Sequence, residues 1–401
     1  MRYDLIIIGG GLVGASLALS LKSSGLSIAL VDARLPSSDD ARLFGLNSSS
    51  CQFLKNLQLW EQLLPYASPI HQVHVSYQGR FGAVRLDRED VALPALGHVV
   101  PAYVIETALN DAFAANETNC IAVYRPAILE TLSCHEGMAE VSLRMNDNTI
   151  ELQSPIIIGA DGTESTVRKQ LGMPAESHDY QQCAIVTRTT LTRPHQQIAY
   201  ERFNKKGAIA MLPLPENECA TIWTTEKNAA TRLLQLSDDA FLNELQTEFG
   251  YRLGRLQAIN KRHTYPLRMM RAKETLHECV FLLGNAAHTL HPIAAQGLNL
   301  ALYEVAVLVE GLQTKLTEAK TISMADLHAM SKAIESQQAI SIGVSHRLSQ
   351  LLTEPSFLIS SLLPIGMIGF DILSPVKKKF IEKMLGRAGR VPRLLLNVNG
   401  L

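Results

Sequence analysis

At 401 residues, with 47% hydrophobic and 19% charged side chains, the chain is long enough for two or three domains and too apolar to be disordered. A formal net charge of −1 offers no global attraction to nucleic acid. Six scattered cysteines without a C-x-x-C pair, and no leading signal segment, predict reduced thiols in a cytoplasmic protein, and no unbroken apolar run reaches the roughly 18 residues of a membrane-spanning helix.

The chain opens with Tyr3 to Ile8, an apolar run of strand length without polar alternation, as suits a strand buried on both faces of a parallel sheet. Glycines follow at 9, 11 and 14. A helix is predicted from Ala15 to Ser24, closed by Gly25, and a second strand from Ser27 to Val31, ending at Asp32. Strand, glycine turn, helix, strand and terminal acid together make a dinucleotide-binding unit. Gly9 permits the turn, Gly11 lets backbone approach a pyrophosphate, Gly14 lets helix and strand pack, and Asp32 can take ribose hydroxyls. The free N–H groups and dipole of the helix N-terminus suit the phosphates. This unit alone does not separate FAD from NAD.

Further on, segments such as Ala184 to Thr189, Gln197 to Tyr200 and Cys219 to Trp223 alternate as in an antiparallel sheet with one covered face. Ser237 to Phe249 reads as an amphipathic helix, with Ser237 as N-cap ahead of Asp238 and Asp239. A buried strand runs from Pro155 into Asp161-Gly162, with Ser165 and Arg168 just beyond. Another runs from Val280 into Gly284-Asn285-Ala286-Ala287-His288, and a helix starts at Gly297. From Met324 onward the chain is mainly helical, and the apolar run Phe357 to Leu373 is interrupted by Pro364, Gly366, Gly369 and Asp371. The segment from Val376 to Leu401 carries a net +6, leaving −7 on the remainder. It reads as a solvated cap or as a surface for anionic lipid.

A glycine turn near the start, a middle Asp-Gly and a late Gly-Asn, in this order, resemble the single-component flavoprotein aromatic hydroxylases. The phrases Ala41 to Leu46, Glu201-Arg202-Phe203 through Pro215, and Gly284 to Pro292 are similar to the ubiquinone-biosynthesis hydroxylases. Within that family, Val73 to Ser76, Ala95 to Val100 and Phe249 to Gly254 most resemble the members that hydroxylate a 2-polyprenyl-6-methoxyphenol. The resemblance implies an α/β fold: a Rossmann-like FAD-binding domain of the aromatic hydroxylase type, discontinuous over 1–72, 97–175 and 278–330. An inserted antiparallel-sheet substrate domain would span 73–96 and 176–277, with a C-terminal helical region over 331–401. It implies FAD contacts from Gly9, Gly11, Gly14, Asp32, Arg42, Asn285, Pro292, Gln296 and Gly297. Asp161 and Gly162, supported by Arg168, would serve both FAD and NAD(P)H, the electron donor.

Three positions depart from the family pattern. Asn285 stands where an Asp usually meets the ribityl chain, and an amide can still bond a hydroxyl. Ala295 adds a methyl where a glycine passes the flavin ring, and Glu304 replaces the usual acid beyond the helix start. A phenol of pKa about 10 needs a hydrogen-bond partner to react as a nucleophile at neutral pH. Tyr200, His263, Tyr265 and His291 all remain open for that role. His288 and His291, three apart and followed by Pro292, lack a third metal ligand. The implied partners are a polyprenylated phenol, other ubiquinone-biosynthesis proteins and, through the basic tail, the inner face of the cytoplasmic membrane. Two alternatives keep the fold: a paralogous hydroxylase acting elsewhere on the ring, or a flavin-holding subunit with little activity alone. With only Trp60 and Trp223, the chain lacks the W-x-W-x-I-P motif of flavin halogenases.

Overall fold

Leu5–Ile8 lies inside a six-stranded sheet in the order Leu276–His277, Val280–Leu282, Ile157–Gly159, Leu5–Ile8, Ile28–Val31, Ile121–Tyr124. The computed structural model describes residues 1–36, 40–115, 120–291, 293–318, 322–353, 357–387 and 390–397. Neighbouring strands are parallel except at the Leu276–His277 edge. Every residue of Leu5–Ile8 and Ile28–Val31 is buried, which explains the absence of polar alternation. The helix after the glycine turn spans Leu12–Ser20 rather than Ala15 to Ser24. Its start lies earlier because Gly11, in extended backbone, is already the cap. Beyond Ser20 the chain tightens: the Ser24 amide bonds the Leu21 carbonyl, Ser24 Oγ bonds the same oxygen at 2.6 Å, and Gly25 turns the chain at φ +81°.

The second sheet has nine strands. Gln72–Tyr77 and Ala83–Asp87 come from one excursion of the chain; most of the others come from the segment between Ala175 and Ala272, and His288–Thr289 completes the sheet. It is mixed rather than antiparallel, because Gln72–Tyr77 pairs with Ile198–Asn204 in parallel register. Those two strands belong to separate excursions and are not joined as a hairpin, so nothing forces them to run in opposite directions. Alternation gives this sheet two different faces. On one, Ile185, Ile209, Met211 and Trp223 pack under the helices Lys227–Gln235 and Asp238–Phe249. Ser237 caps the second of these helices, accepting from the Ala240 amide at 3.3 Å. The opposite face looks onto a cavity.

Two smaller sheets complete the frame. The meander Ile128–His135, Met138–Met145, Asn148–Ser154 packs Leu132, Val141 and Leu152 against the six-stranded sheet, and Leu43–Asn47, Gly97–Pro101 and Ser68–Ile70 pair beside the cavity. The helices Gln296–Thr317, Met324–Thr353, Phe357–Ile372 and Ser374–Met384 follow. Phe357–Ile372 continues through Pro364 as one helix. No helix among the described residues is long and apolar enough to cross a membrane. The last two helices are tied to the Gln72–Asp87 hairpin and the turn after it. Asp371 accepts from the Arg85 amide at 2.7 Å, and Lys377 pairs with Asp90 at 3.1 Å.

Phe241 is fully buried, edge-on to Trp223 at 5.4 Å and under the Arg262 guanidinium at 5.0 Å. Phe241→Ala is expected to cost about 3–5 kcal/mol. Because this core lies on the face away from the cavity, urea unfolding should show the loss while the cofactor content of the purified protein stays at the wild-type level.

Candidate active site

The turn after Leu5–Ile8 has no room for side chains at three of its four glycines, and at two of these the obstacle is backbone. Gly9 has φ +108°, and a Cβ there would overlap the Ala160 carbonyl; at Gly14 it would overlap the Gly9 carbonyl oxygen. Gly11 is different: a Cβ there would meet nothing within 4 Å, since the residue faces the cavity. The helix it caps has neither a side-chain cap nor an acidic residue in its first turn, so its leading amides remain available to an anion. Asp32 stands beside them and is held by Arg125, 3.6 Å away, whose guanidinium also donates to the Gly10 carbonyl at 2.8 Å and to Asn110 at 2.8 Å. A Cβ on Gly10 would strike that guanidinium, so the fourth glycine makes room for Arg125. Sequence reasoning missed Arg125, because it reaches the turn only through the pairing of Ile121–Tyr124 with Ile28–Val31.

In the middle motif, Asp161 accepts from the amides of Thr166 at 2.6 Å and Val167 at 3.1 Å through one oxygen. Its other oxygen is buried without a partner, an acceptor suited to a ligand hydroxyl or amide. The neighbouring Gly162 has φ +87° and open space where a Cβ would be. Arg168 is buried and bonds the carbonyls of Thr163 at 2.9 Å and Ala286 at 2.7 Å, joining the middle motif to the late one.

The late motif rests on Glu304. This fully buried side chain accepts from the Gly284 amide at 3.0 Å, from His288 Nε2 at 2.5 Å and from Gln338 at 2.7 Å. His288 is thereby a structural donor. The loop then reaches the long helix, which starts at Gln296, one residue before the predicted Gly297. Ala295 caps that helix at φ +50°, ψ +38°, a conformation that costs an L-residue roughly 1–2 kcal/mol. Its methyl faces Gly45, where even a Cβ would come within 3.1 Å. Asn299 fixes this arrangement by donating to the carbonyls of Ala295 at 2.7 Å and Gly45 at 2.8 Å and accepting from the Asn47 amide at 2.8 Å.

These elements surround a cavity of about 1220 Å³, larger than the roughly 300–1,000 Å³ of ordinary ligand pockets. Of the residues predicted to contact cofactor, Gly9, Gly11, Asp32, Arg42, Asp161, Gly162, Asn285, Gln296 and Gly297 line it. Gly14 packs beneath the turn, and Pro292 lies outside the described residues. Arg42 is at the wall, but its guanidinium is engaged by Asp40 at 2.9 Å and lies over Phe44. The far end of the cavity is apolar, formed by Val75, Phe203 and Ile222 of the nine-stranded sheet and by Met367 and Phe370 of the helix Phe357–Ile372.

Of the four residues considered as phenol partners, Tyr200 and His291 lie at the cavity, while His263 and Tyr265 do not. The Tyr200 ring packs against His74 and Phe249, whose side chains sit toward the helix-covered face, and the His291 ring packs edge-on to Tyr180. His74, which burial and then the charge of Arg252 drive down to about pKa 4, pairs with Arg252 at 3.1 Å. Two of the phrases that carried the resemblance therefore meet behind the sheet. A residue not considered, Glu201, faces the chamber.

The FAD-binding-domain family matches residues 2–337, and the chain belongs to that family. It is a flavoprotein hydroxylase with FAD as its cofactor and NAD(P)H as donor, and it is similar to proteins named as ubiquinone-biosynthesis hydroxylases. Ubiquinone hydroxylase UbiL of Rhodospirillum rubrum is 26% identical over 407 residues, covering 98% of this chain and 93% of its own. The 3-demethoxyubiquinol 3-hydroxylase of Escherichia coli is 28% identical over 316 residues, covering 77% and 79%. The fold is shared with p-nitrophenol 4-monooxygenase PnpA of Pseudomonas putida, at a TM-score of 0.79 and 14% identity, over 96% of this chain and 99% of that one. The open glycine cradle, the uncapped helix and the orphaned Asp161 oxygen fit an FAD along this wall.

Gly11→Val and Gly14→Ala should fail in different ways. The first has room for its side chain and should fold with a near-native melting temperature as apoprotein, yet copurify without flavin. The second should melt well below wild type even before flavin is considered. Glu304→Ala strips the acceptor from three buried donors and is expected to cost about 3–5 kcal/mol in chemical denaturation.

Proposed function

We propose that the chain hydroxylates the aromatic ring of a 2-polyprenyl-6-methoxyphenol in ubiquinone biosynthesis. The observation that carries this reading is the apolar chamber, which opens directly from the dinucleotide wall and is roofed by the C-terminal helices. Its walls suit a ring bearing a long hydrocarbon tail. The names of the relatives, ubiquinone hydroxylase and 3-demethoxyubiquinol 3-hydroxylase, support the pathway. In the overall reaction NAD(P)H gives two electrons, one atom of O2 enters a ring C–H bond and the other leaves as water.

FAD, when bound, supplies hydride acceptance and oxygen activation. This chain's residues do the rest. Gly11 and the amides after it would hold the pyrophosphate, Asp32 the ribose and Asn285 the polyol chain. The start of the helix at Gln296–Gly297 would place amides and a dipole against negative charge on the reduced ring system. The apolar sheet face and the helix Phe357–Ile372 would keep water from the reacting atoms.

The same helix supports a membrane-surface reading. Met367 and Phe370 face the chamber, whereas Ile365 and Ile372 are exposed, continuous in sequence with exposed Leu373 and Val376 and followed by exposed Lys378 and Lys379. Lys377 is held by Asp90, so the tail presents less free charge than its sequence count. An apolar patch edged with lysines suits an anionic bilayer, from which a lipid-soluble phenol would enter.

Holoenzyme given NAD(P)H, 18O2 and a 2-polyprenyl-6-methoxyphenol should yield a product carrying one labelled oxygen. No phenol-dependent oxygen uptake would overturn the reading, and a strain lacking the protein that accumulates a different ring intermediate would move the assignment to a paralogue. In flotation, the protein should bind vesicles with anionic lipid more than neutral ones, and Lys378→Glu with Lys379→Glu should abolish the difference. Equal binding to both vesicles would remove the electrostatic part.

A further inference from the structure

We infer that Glu201 is the proton acceptor for the phenol in this chamber, an inference that rests on the functional reading above. Glu201 lies in the strand Ile198–Asn204, opposite Val75 on one side and Ala210 on the other. Strand alternation places it with Ala199 and Phe203 on the cavity face. Its neighbours Tyr200 and Arg202 turn to the other face, where Arg202 bonds the Glu248 carbonyl at 3.1 Å. One carboxyl group therefore projects from a mainly apolar wall that includes Val75, Val84, Phe203, Ala210 and Ile222, with Thr224 on the same face.

Among the described residues three acidic side chains line the cavity, and two of them already have partners. Asp32 is paired with Arg125, and Asp161 accepts two backbone amides. Glu201 makes no hydrogen bond or ion pair among the described residues; it is partly buried in the cavity wall. A carboxyl held in an apolar wall without a partner is destabilising unless a ligand completes it. The group in this ligand class able to complete it is the phenol O–H. Desolvation also pushes Glu201 up to about pKa 7, near the value at which a general base works best at neutral pH.

In the step, the phenol donates its O–H to the Glu201 carboxylate. As a ring carbon bonds the incoming oxygen, the O–H bond breaks, its electron pair moves into the ring as a C=O bond, and the proton stays on Glu201. The bond between the two oxygens breaks as the ring carbon takes one of them. The ring hydrogen at the attacked carbon then leaves as a proton to the other oxygen, which departs as water, while the carbonyl oxygen recovers its proton from Glu201 and the ring is aromatic again.

Glu201→Gln and Glu201→Asp, compared with wild type as FAD holoenzymes, test this. Below pH 7 the Glu201 carboxyl is neutral and cannot accept, so the wild-type hydroxylation rate with 2-polyprenyl-6-methoxyphenol should rise with pH through about 7. Glu201→Gln should lose that limb and fall roughly 100-fold at pH 8, with flavin content and melting temperature retained. Glu201→Asp should recover part of the rate and the limb. A Glu201→Gln rate within threefold of wild type, or one that keeps the limb, overturns the inference and leaves the functional reading standing. Binding of the same phenol, followed by perturbation of the flavin absorbance, separates the two claims. Wild-type binding that strengthens through pH 7 and becomes pH-independent in Glu201→Gln, without hydroxylation by wild type, sinks the functional reading but keeps Glu201 as the acceptor. No binding at all overturns both.

Discussion

A single buried carboxyl group organises the region where the late loop meets the helices Gln296–Thr317 and Met324–Thr353. Glu304 projects from the helix Gln296–Thr317 and gathers the Gly284 amide, the His288 ring and the Gln338 side chain. Those donors come from the late loop and from the helix Met324–Thr353, so one residue fixes the loop between two helices. Arg168 then joins the loop to the middle motif through the Ala286 carbonyl, and the middle motif abuts the glycine turn at Gly9 and Ala160. Three segments far apart in sequence are thereby held as one wall. Since each bond is buried, loosening one leaves polar groups with no solvent to turn to.

The second organising element is a sheet with two unlike faces. One face is an ordinary core closed by helices, and the other is left open because the C-terminal helices stand off from it. Strand geometry then decides chemistry. Adjacent residues Tyr200 and Glu201 look in opposite directions, so the tyrosine belongs to packing and the acid to the chamber.

Much of this was legible in the sequence. The opening strand, the steric need for glycine at 9 and 14 and the position of Asp32 at the end of the second strand follow from local pattern, because the turn is built from residues adjacent in the chain. The same holds for the Ser237-capped helix. What was not legible depends on distant contacts. Arg125 reaches Gly10 through strand pairing, Asn299 clamps a strand some 250 residues earlier in the chain, and Arg42 turns out to be occupied by Asp40. Period-two alternation separated Tyr200 from Glu201 in principle, but nothing in the sequence said which face the helices would cover. The antiparallel expectation failed at one pairing for a related reason: periodicity identifies strands, and their direction depends on how separate excursions of the chain meet.

The roof of the chamber has one more consequence. Met367, Phe370, Phe380 and Met384 come from the helices nearest the C-terminus, and polar ties to Arg85 and Asp90 hold them down. The segments that form the dinucleotide wall all precede these helices in chain order, so the roof is a layer separate from the cofactor wall. Damage confined to that roof would leave the wall able to hold its cofactor while admitting water to the reaction space.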